Sequence, residues 1–415
     1  MSDVVFEQDT ESEFDPARLL DLSAEEGFES ALLHAAKEGA SDLFIMMDSR
    51  AATVSMRLNG MVAEMARVPI ELGRHMVSFV KTQSGMDIAE HRRPQDGRWV
   101  YAIGEAGLDL RINTINTMAG EDLALRIFDR GEGRLTLDQL GIPANQLVQY
   151  KTLLQSPGGL VLVTGPTGTG KTTTLYSSLQ YLAKGGERKI NTIEDPVESR
   201  IDGVRQSQVN PRIGLDFPEM LRSIVRQAPD VIMVGEIRDE ETAATAIRAA
   251  GSGHLVLATM HAPIAAAAVQ SLLALGSKPY FLANCLLGVL AQRLVRKLCV
   301  SCRTDIDISE APEAFAEISE GEAPVDKLYM SSGCDECSPG GFEGRTGLFE
   351  LMLVNREIRE LITNGAGHRE IHRAAVANGM SEFRVSAMHK VADGTTSIEE
   401  ILRDVPAEYL GLEDE

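Results

Sequence analysis

The sequence predicts an α/β protein. A mainly parallel sheet covered by helices follows a small α+β domain and is interrupted late by a four-cysteine subdomain. Three observations carry this. From about 144 to 295 the short apolar runs "GLVLVT", "KINTIE", "DVIMVGE" and "HLVLATM" alternate with stretches of helical period, the order that builds a parallel sheet with helices on its faces. From about 27 to 130 the helical stretch "EEGFESALLHAAKEGA" precedes strand-like runs such as "SDLFIMM", "AATVSMRLNG", "GRWVYAIG", "LDLRINTI" and "DLALRIF", with turn residues between them. Four of the five cysteines fall into two C-x-x-C pairs.

Taken in order, residues 1–26 are dominated by Asp and Glu, with Arg18 the only basic residue, and are expected to form a disordered or loosely ordered acidic arm. This terminus shows no basic and then apolar pattern of a signal peptide. The small domain spans 27–130. Residues 131–143, the body of "DRGEGRLTLDQLGIP", are its linker. The remainder, 144–415, is the second domain, with the cysteine excursion at 298–344 and a mostly helical end from 345. Leu255–Ser277 has the length of a membrane span and contains no Asp, Glu, Lys or Arg, but His261, Pro263 and Gln270 break it. A buried strand, loop and helix is expected there, and any membrane association would be peripheral. The net charge of −21 repels nucleic-acid backbones and disfavours a strand-tracking enzyme.

Gly165, Pro166, Thr167, Gly168, Thr169, Gly170, Lys171 and Thr172 fit G-x-x-x-x-G-K-[ST], between the strand "GLVLVT" and a helix that continues through Thr173. The glycines let successive N–H groups converge on phosphate oxygens, and the helix N-terminus adds partial positive charge. Lys171 would reach the β- and γ-phosphates and Thr172 would bind Mg²⁺. Glu236 ends the strand-like "DVIMVGE", where a parallel sheet places its ligands, and can hold Mg²⁺ or orient water. Glu194, Asp195 and Glu198 follow another strand in "TIEDPVE", and one of them could act as general base. Cys299, Cys302, Cys334 and Cys337 have the pairing of a Zn²⁺ site, with 303–333 between the pairs. A redox dithiol or unliganded thiols are the alternatives. Cys285 reads as a buried small hydrophobe.

These motifs together resemble the secretion ATPase superfamily, the hexameric motors of type II secretion and type IV pili. The likeness covers about 27–405 and rests on the P-loop, "TIEDPVE", "LRSIVRQAPDVIMVGEIRDEETA" and "GHLVLATMHA". It implies a RecA-like P-loop domain, a PAS-like N-terminal domain, and ATP with Mg²⁺. It makes Glu198 the general base, Glu236 a magnesium residue and His261 the γ-phosphate sensor. Arg98, Arg111 and Arg126 would lie near the nucleotide, with Arg222 and Arg226 at a subunit interface. The segment Leu286–Cys299 resembles that of assembly ATPases carrying a four-cysteine zinc domain. A hexamer is implied, at the cytoplasmic face of the inner membrane and peripheral to it, working on a platform protein. Secretion members carry a further docking domain, whereas only the acidic arm precedes residue 27 here.

Three positions depart from the family pattern: Ala228 in "RQAPD", Ala262 in "TMHAP" and Phe44 in "ASDLF". They put turnover and interface coupling in question, and Ala228 with the altered histidine box supports the alternative of a catalytically weak regulatory ATP-binding subunit. A nucleic-acid-dependent P-loop enzyme is the remaining class. The acidic balance and 5% aromatic content disfavour it, because strand binding wants basic grooves with stacking platforms.

Overall fold

The computed structural model describes residues 14–103, 106–129, 135–310, 327–337 and 340–412, together with Phe315, Ile318 and Ser319. The chain divides into two units, Met1–Gly133 and Arg134–Glu415, each with its own apolar core. Residues 1–13 of the acidic arm, residue 130 and residues 131–134 at the start of the linker lie outside the described residues.

In the first unit, a short 3-10 turn, Pro16–Leu20, buries Leu19. Helix α1, Ala24–Lys37, begins at Ser23, whose hydroxyl accepts from the Glu26 N–H while Glu26 takes the Ser23 N–H. That reciprocal cap satisfies two otherwise orphaned donors. The end of the arm therefore belongs to this unit's core. Strands β1 (Asp42–Met47), β2 (Ala51–Leu58), β3 (Met61–Pro69), β4 (Gln95–Ile103), β5 (Ala106–Asn116) and β6 (Glu121–Asp129) form an antiparallel sheet among the described residues, in the order β3-β2-β1-β6-β5-β4. Helix α2, Ile70–Gln83, and α1 contribute Phe28, Leu32, Met76 and Val80 to the core beside the sheet.

In the second unit, α3 (Ala144–Leu154) leads into β7 (Gly159–Thr164) and α4 (Lys171–Ala183). Then come β8 (Ile190–Glu194), β9 (Val204–Gln208), α5 (Phe217–Val225), β10 (Val231–Val234), α6 (Glu240–Gly251) and β11 (Leu255–Met260). After α7 (Ala265–Ala274) and α8 (Pro279–Cys285), the long β12 (Leu286–Leu298) returns to β7. Short strands β13 (Thr304–Ile306) and β14 (Leu328–Met330) pair with each other. Strand β15 (Phe342–Leu353) lies antiparallel on β12. The sheet order is β15-β12-β7-β11-β10-β8-β9, with every pairing parallel except β12 with β15.

Period-two alternation gives this sheet two buried faces. Leu160, Leu162, Ile232, Val234, Val256 and Ala258 pack into one core, and Val161, Val163, Val231, Met233, Leu255 and Leu257 into another. Leu255–Ser277 is β11, a loop and α7. No helix among the described residues is long and apolar enough to cross a membrane.

The region from 345 differs from its helical reading. Its first part, through Leu353, is strand; the helices Arg356–Thr363, His368–Ala377, Phe383–Ala392 and Ile398–Asp404 follow. An apolar run such as "GLFELML" satisfies a strand and a helix equally by period, and pairing with β12 decides between them.

Candidate active site

The parallel strands end side by side, and their C-terminal ends carry the sequence motifs. Residues 165–170 leave β7 and turn into α4 with φ of 148° at Gly165, 80° at Gly168 and 82° at Gly170. These are backbone conformations that glycine adopts at little cost. At Gly165 space also demands it, since a Cβ there would stand 2.4 Å from the Gln292 carbonyl oxygen. The crest Pro166–Gly168 and the first-turn residues Thr172 and Thr173 are exposed, while Thr169 is buried and caps Pro166 O at 2.9 Å. Lys171 folds back over the loop, its Nζ donating to Gly165 O and Pro166 O at 2.8 Å each. Burial pushes its pKa down, and the charge of Glu236 opposes that shift.

Glu236 lies just past β10 and His261 just past β11. Lys171 Nζ is 3.5 Å from His261 Nδ1, and His261 Nε2 is 2.8 Å from Glu236 Oε1. With Nδ1 accepting from the lysine, Nε2 carries the proton and donates to the carboxylate. The other Glu236 oxygen accepts from Arg238 Nε at 2.6 Å, a partner the sequence reading missed although it stands two residues away. Hydrogen bonds between neighbouring strand ends hold this line in place. Thr164 Oγ1 donates to Ala262 O and accepts from Ala262 N–H, both at 2.9 Å, and Thr259 Oγ1 donates to Gly235 O at 2.6 Å. Residue 262 meets the P-loop strand through backbone atoms that any amino acid offers.

The carboxylates of the acidic stretch after β8 differ in their settings. Glu194 is buried, and its oxygens accept from Tyr176 Oη, from Thr192 Oγ1 at 2.5 Å and from Gln206 Nε2 at 3.1 Å. A carboxylate so occupied is a structural anchor. Asp195 is exposed and Glu198 half-buried in the turn beyond. Tyr176, on α4, also accepts the Glu198 backbone N–H at 3.0 Å. It thus ties the helix that follows the P-loop to the acidic turn, a role no local pattern announced. Arg222 pairs with Glu241, and Arg222 and Arg226 line a groove of about 500 Å³ beside α5. Ala228, in the turn after that helix, sits at a φ of 48°, a left-handed conformation that Asp and Asn adopt more readily than alanine does.

Within the first unit the three sequence-predicted arginines come together. The register sets Arg98 opposite Arg111, Arg111 opposite Arg126, Arg126 opposite Asp42, and Asp42 opposite Arg57. Paired residues of an antiparallel sheet share a face, so one row across β4, β5, β6, β1 and β2 carries four arginines. Arg57 was not foreseen. Adjacent like charges repel, and buried carboxylates offset this. Asp109 takes the Arg98 guanidinium on both oxygens, with Nε at 2.8 Å. Asp42 lies 3.0 Å from Arg126 and 3.4 Å from Arg57. The Arg111 guanidinium stacks 4.3 Å from the Phe128 ring centroid, and that of Arg57 stands 5.4 Å from the ring of Phe44.

The four paired cysteines also converge. Their Sγ atoms all lie within 4.8 Å of one another, with Cys299–Cys334 at 4.0 Å and Cys302–Cys337 and Cys334–Cys337 at 3.6 Å. Four thiolates about 2.3 Å from one tetrahedral ion stand roughly 3.8 Å apart, so the cluster could hold a metal ion. Cys285 is buried apart from it, and burial pushes its thiol up to about 11.

The sequence profile of the type II/IV secretion system protein family matches residues 22–403. The chain is 42% identical over 369 residues to the type II secretion system ATPase E of Vibrio cholerae, covering 89% of this chain and 73% of that protein. It is 39% identical over 373 residues to the type IV pilus assembly ATPase PilB of Pseudomonas aeruginosa, covering 90% and 66%. Its fold is that of the Yersinia pseudotuberculosis ATPase DotB, with a TM-score of 0.71 at 20% identity over 98% of both chains. With a P-loop, an acidic turn, a strand-end glutamate and a histidine gathered on one edge of a parallel sheet, and with relatives of this identity along nine-tenths of its length, the chain belongs to the type II/IV secretion system ATPase family.

Proposed function

We infer that this secretion and pilus-assembly ATPase is a ring motor, turning ATP hydrolysis into work on an inner-membrane platform protein. The observation that carries the chemistry is the line Lys171–His261–Glu236 at the P-loop. The loop suits a triphosphate: Gly165 admits no Cβ, Gly168 and Gly170 take positive φ, and Lys171 satisfies itself on loop carbonyls that a phosphate would replace as its partners. Thr172 and Glu236 would hold Mg²⁺, which neutralises phosphate charge when bound. Glu198 would accept the proton of the attacking water, because Glu194 is already committed to Tyr176, Thr192 and Gln206. His261 would report the γ-phosphate to Glu236. Arg98, Arg111 and Arg126 would face phosphate oxygens, and Arg222 and Arg226 would meet a neighbouring subunit. The protein would act at the cytoplasmic face of the membrane, held there by partners.

Ring closure buries head-to-tail faces that would otherwise build filaments. Light scattering with a non-hydrolysable ATP analogue should give a closed ring, a hexamer by the family resemblance. A monomer in every nucleotide state would favour the regulatory-subunit reading.

The cysteine cluster is proposed to bind structural Zn²⁺. Protein purified without chelator should carry about one zinc per chain, and Cys299→Ser or Cys334→Ser should release it while nucleotide binding survives. Elemental analysis that finds no metal in the wild-type protein would contradict the assignment.

A further inference from the structure

The side chains invoked for the chemistry of the second unit lie on loops after β7, β8, β10 and β11, or on α4 and α5. Gln292 is elsewhere. It sits on β12, on the other flank of β7, and is 2% exposed. Its Nε2 donates to Thr169 O at 2.5 Å, and its Oε1 accepts from Thr174 Oγ1 at 2.8 Å. Its own carbonyl presses on Gly165. The first glycine of the P-loop, the carbonyl before its last glycine and the first turn of α4 thus close on one residue. Among side chains of this size an amide can donate to a carbonyl and accept from a hydroxyl at once.

The contact with Thr169 has a geometric consequence. Thr169 C=O and Gly170 N–H share one planar trans peptide, so they point in opposite directions. Fixing the carbonyl on β12 aims the Gly170 N–H away from the strand, toward the open side of the loop. We propose that Gln292 is a positioning residue for the β- and γ-phosphates. It holds the P-loop in its phosphate-binding curl without touching the nucleotide. The inference rests on the reading that this loop binds the triphosphate.

The test measures ADP, ATP and AMP affinity and steady-state kinetics of the full chain carrying Gln292→Glu, which turns the donor into an acceptor facing the Thr169 carbonyl. ADP and ATP should each bind about tenfold more weakly or worse, the scale of a buried carbonyl losing its donor. AMP, which has no β-phosphate, should bind unchanged, and kcat at saturation should move less than about threefold. A general loosening of the fold would weaken all three nucleotides alike, and that result would overturn the proposal. So would unchanged ADP affinity, or a kcat loss at constant KM. Thr174→Val removes the hydroxyl at the other end of the amide and should shift KM in the same direction by less. If Gln292→Glu does not fold, unchanged ADP affinity in Thr174→Val overturns the idea. Lys171→Ala separates the two levels. Should it retain ADP, the phosphate-loop reading itself fails; should it lose ADP while Gln292→Glu keeps it, only the role of Gln292 fails.

Discussion

Glu198→Gln and Glu236→Gln are each expected to bind ATP and to hydrolyse it about 10²–10⁴-fold more slowly. The two losses have different origins. Glu198→Gln removes a proton acceptor from a turn whose backbone stays tied to Tyr176, so binding should be untouched and only the chemical step should suffer. Glu236→Gln removes the charge that faces His261 at 2.8 Å and Arg238 at 2.6 Å. That charge also acts on Lys171, opposing the downward push of burial. Because Glu236 is a proposed Mg²⁺ residue, its loss should also raise the Mg²⁺ concentration that turnover requires, and the Mg²⁺ titration tells the two variants apart. Wild-type rates in both would contradict the assignment of the acidic turn and the strand-end glutamate.

The part of this site that lies within one stretch of chain was legible in the sequence. The P-loop needs only residues 165–172 in order, and strand and helix on either side confirm its context. What stayed hidden depends on strand pairing. Gln292 meets Thr169 only because β12 returns beside β7 after α7 and α8. Arg57 and Asp42 join the arginine row only through the β1–β2 and β1–β6 register, and a register shift of one residue would turn them to the other face. The difference in setting between Glu194 and Glu198 was invisible for a similar reason. Burial and three donors, from α4, β8 and β9, distinguish two carboxylates that look equivalent in "TIEDPVE". Strand β15 escaped because its apolar run has no period of its own.

Removing arginines from the first unit is expected to have the larger effect on rate. Guanidiniums fixed against phosphate oxygens stabilise the charge that spreads over them in the transition state, and one such arginine contributes about 10³–10⁵ in turnover. The row has the features this requires. Asp109 takes the Arg98 fork on both oxygens, Asp42 accepts from Arg126 Nε, and Phe128 supports Arg111. Alanine at Arg111 and Arg126 leaves Lys171, Glu198, Glu236 and the P-loop in place, so nucleotide should still bind. Asp42 keeps Arg57 as a partner, which limits the cost of the change to the fold of the first unit.

Arg111 and Arg126 are proposed to act in the hydrolysis of bound ATP. Single-turnover ATP hydrolysis by the intact chain carrying Arg111→Ala and Arg126→Ala tests this role most directly, with nucleotide occupancy and secondary structure checked on the same sample. Bound ATP should be hydrolysed at least about 10³-fold more slowly than by the wild-type chain. Wild-type hydrolysis of bound ATP by the folded double variant would contradict it.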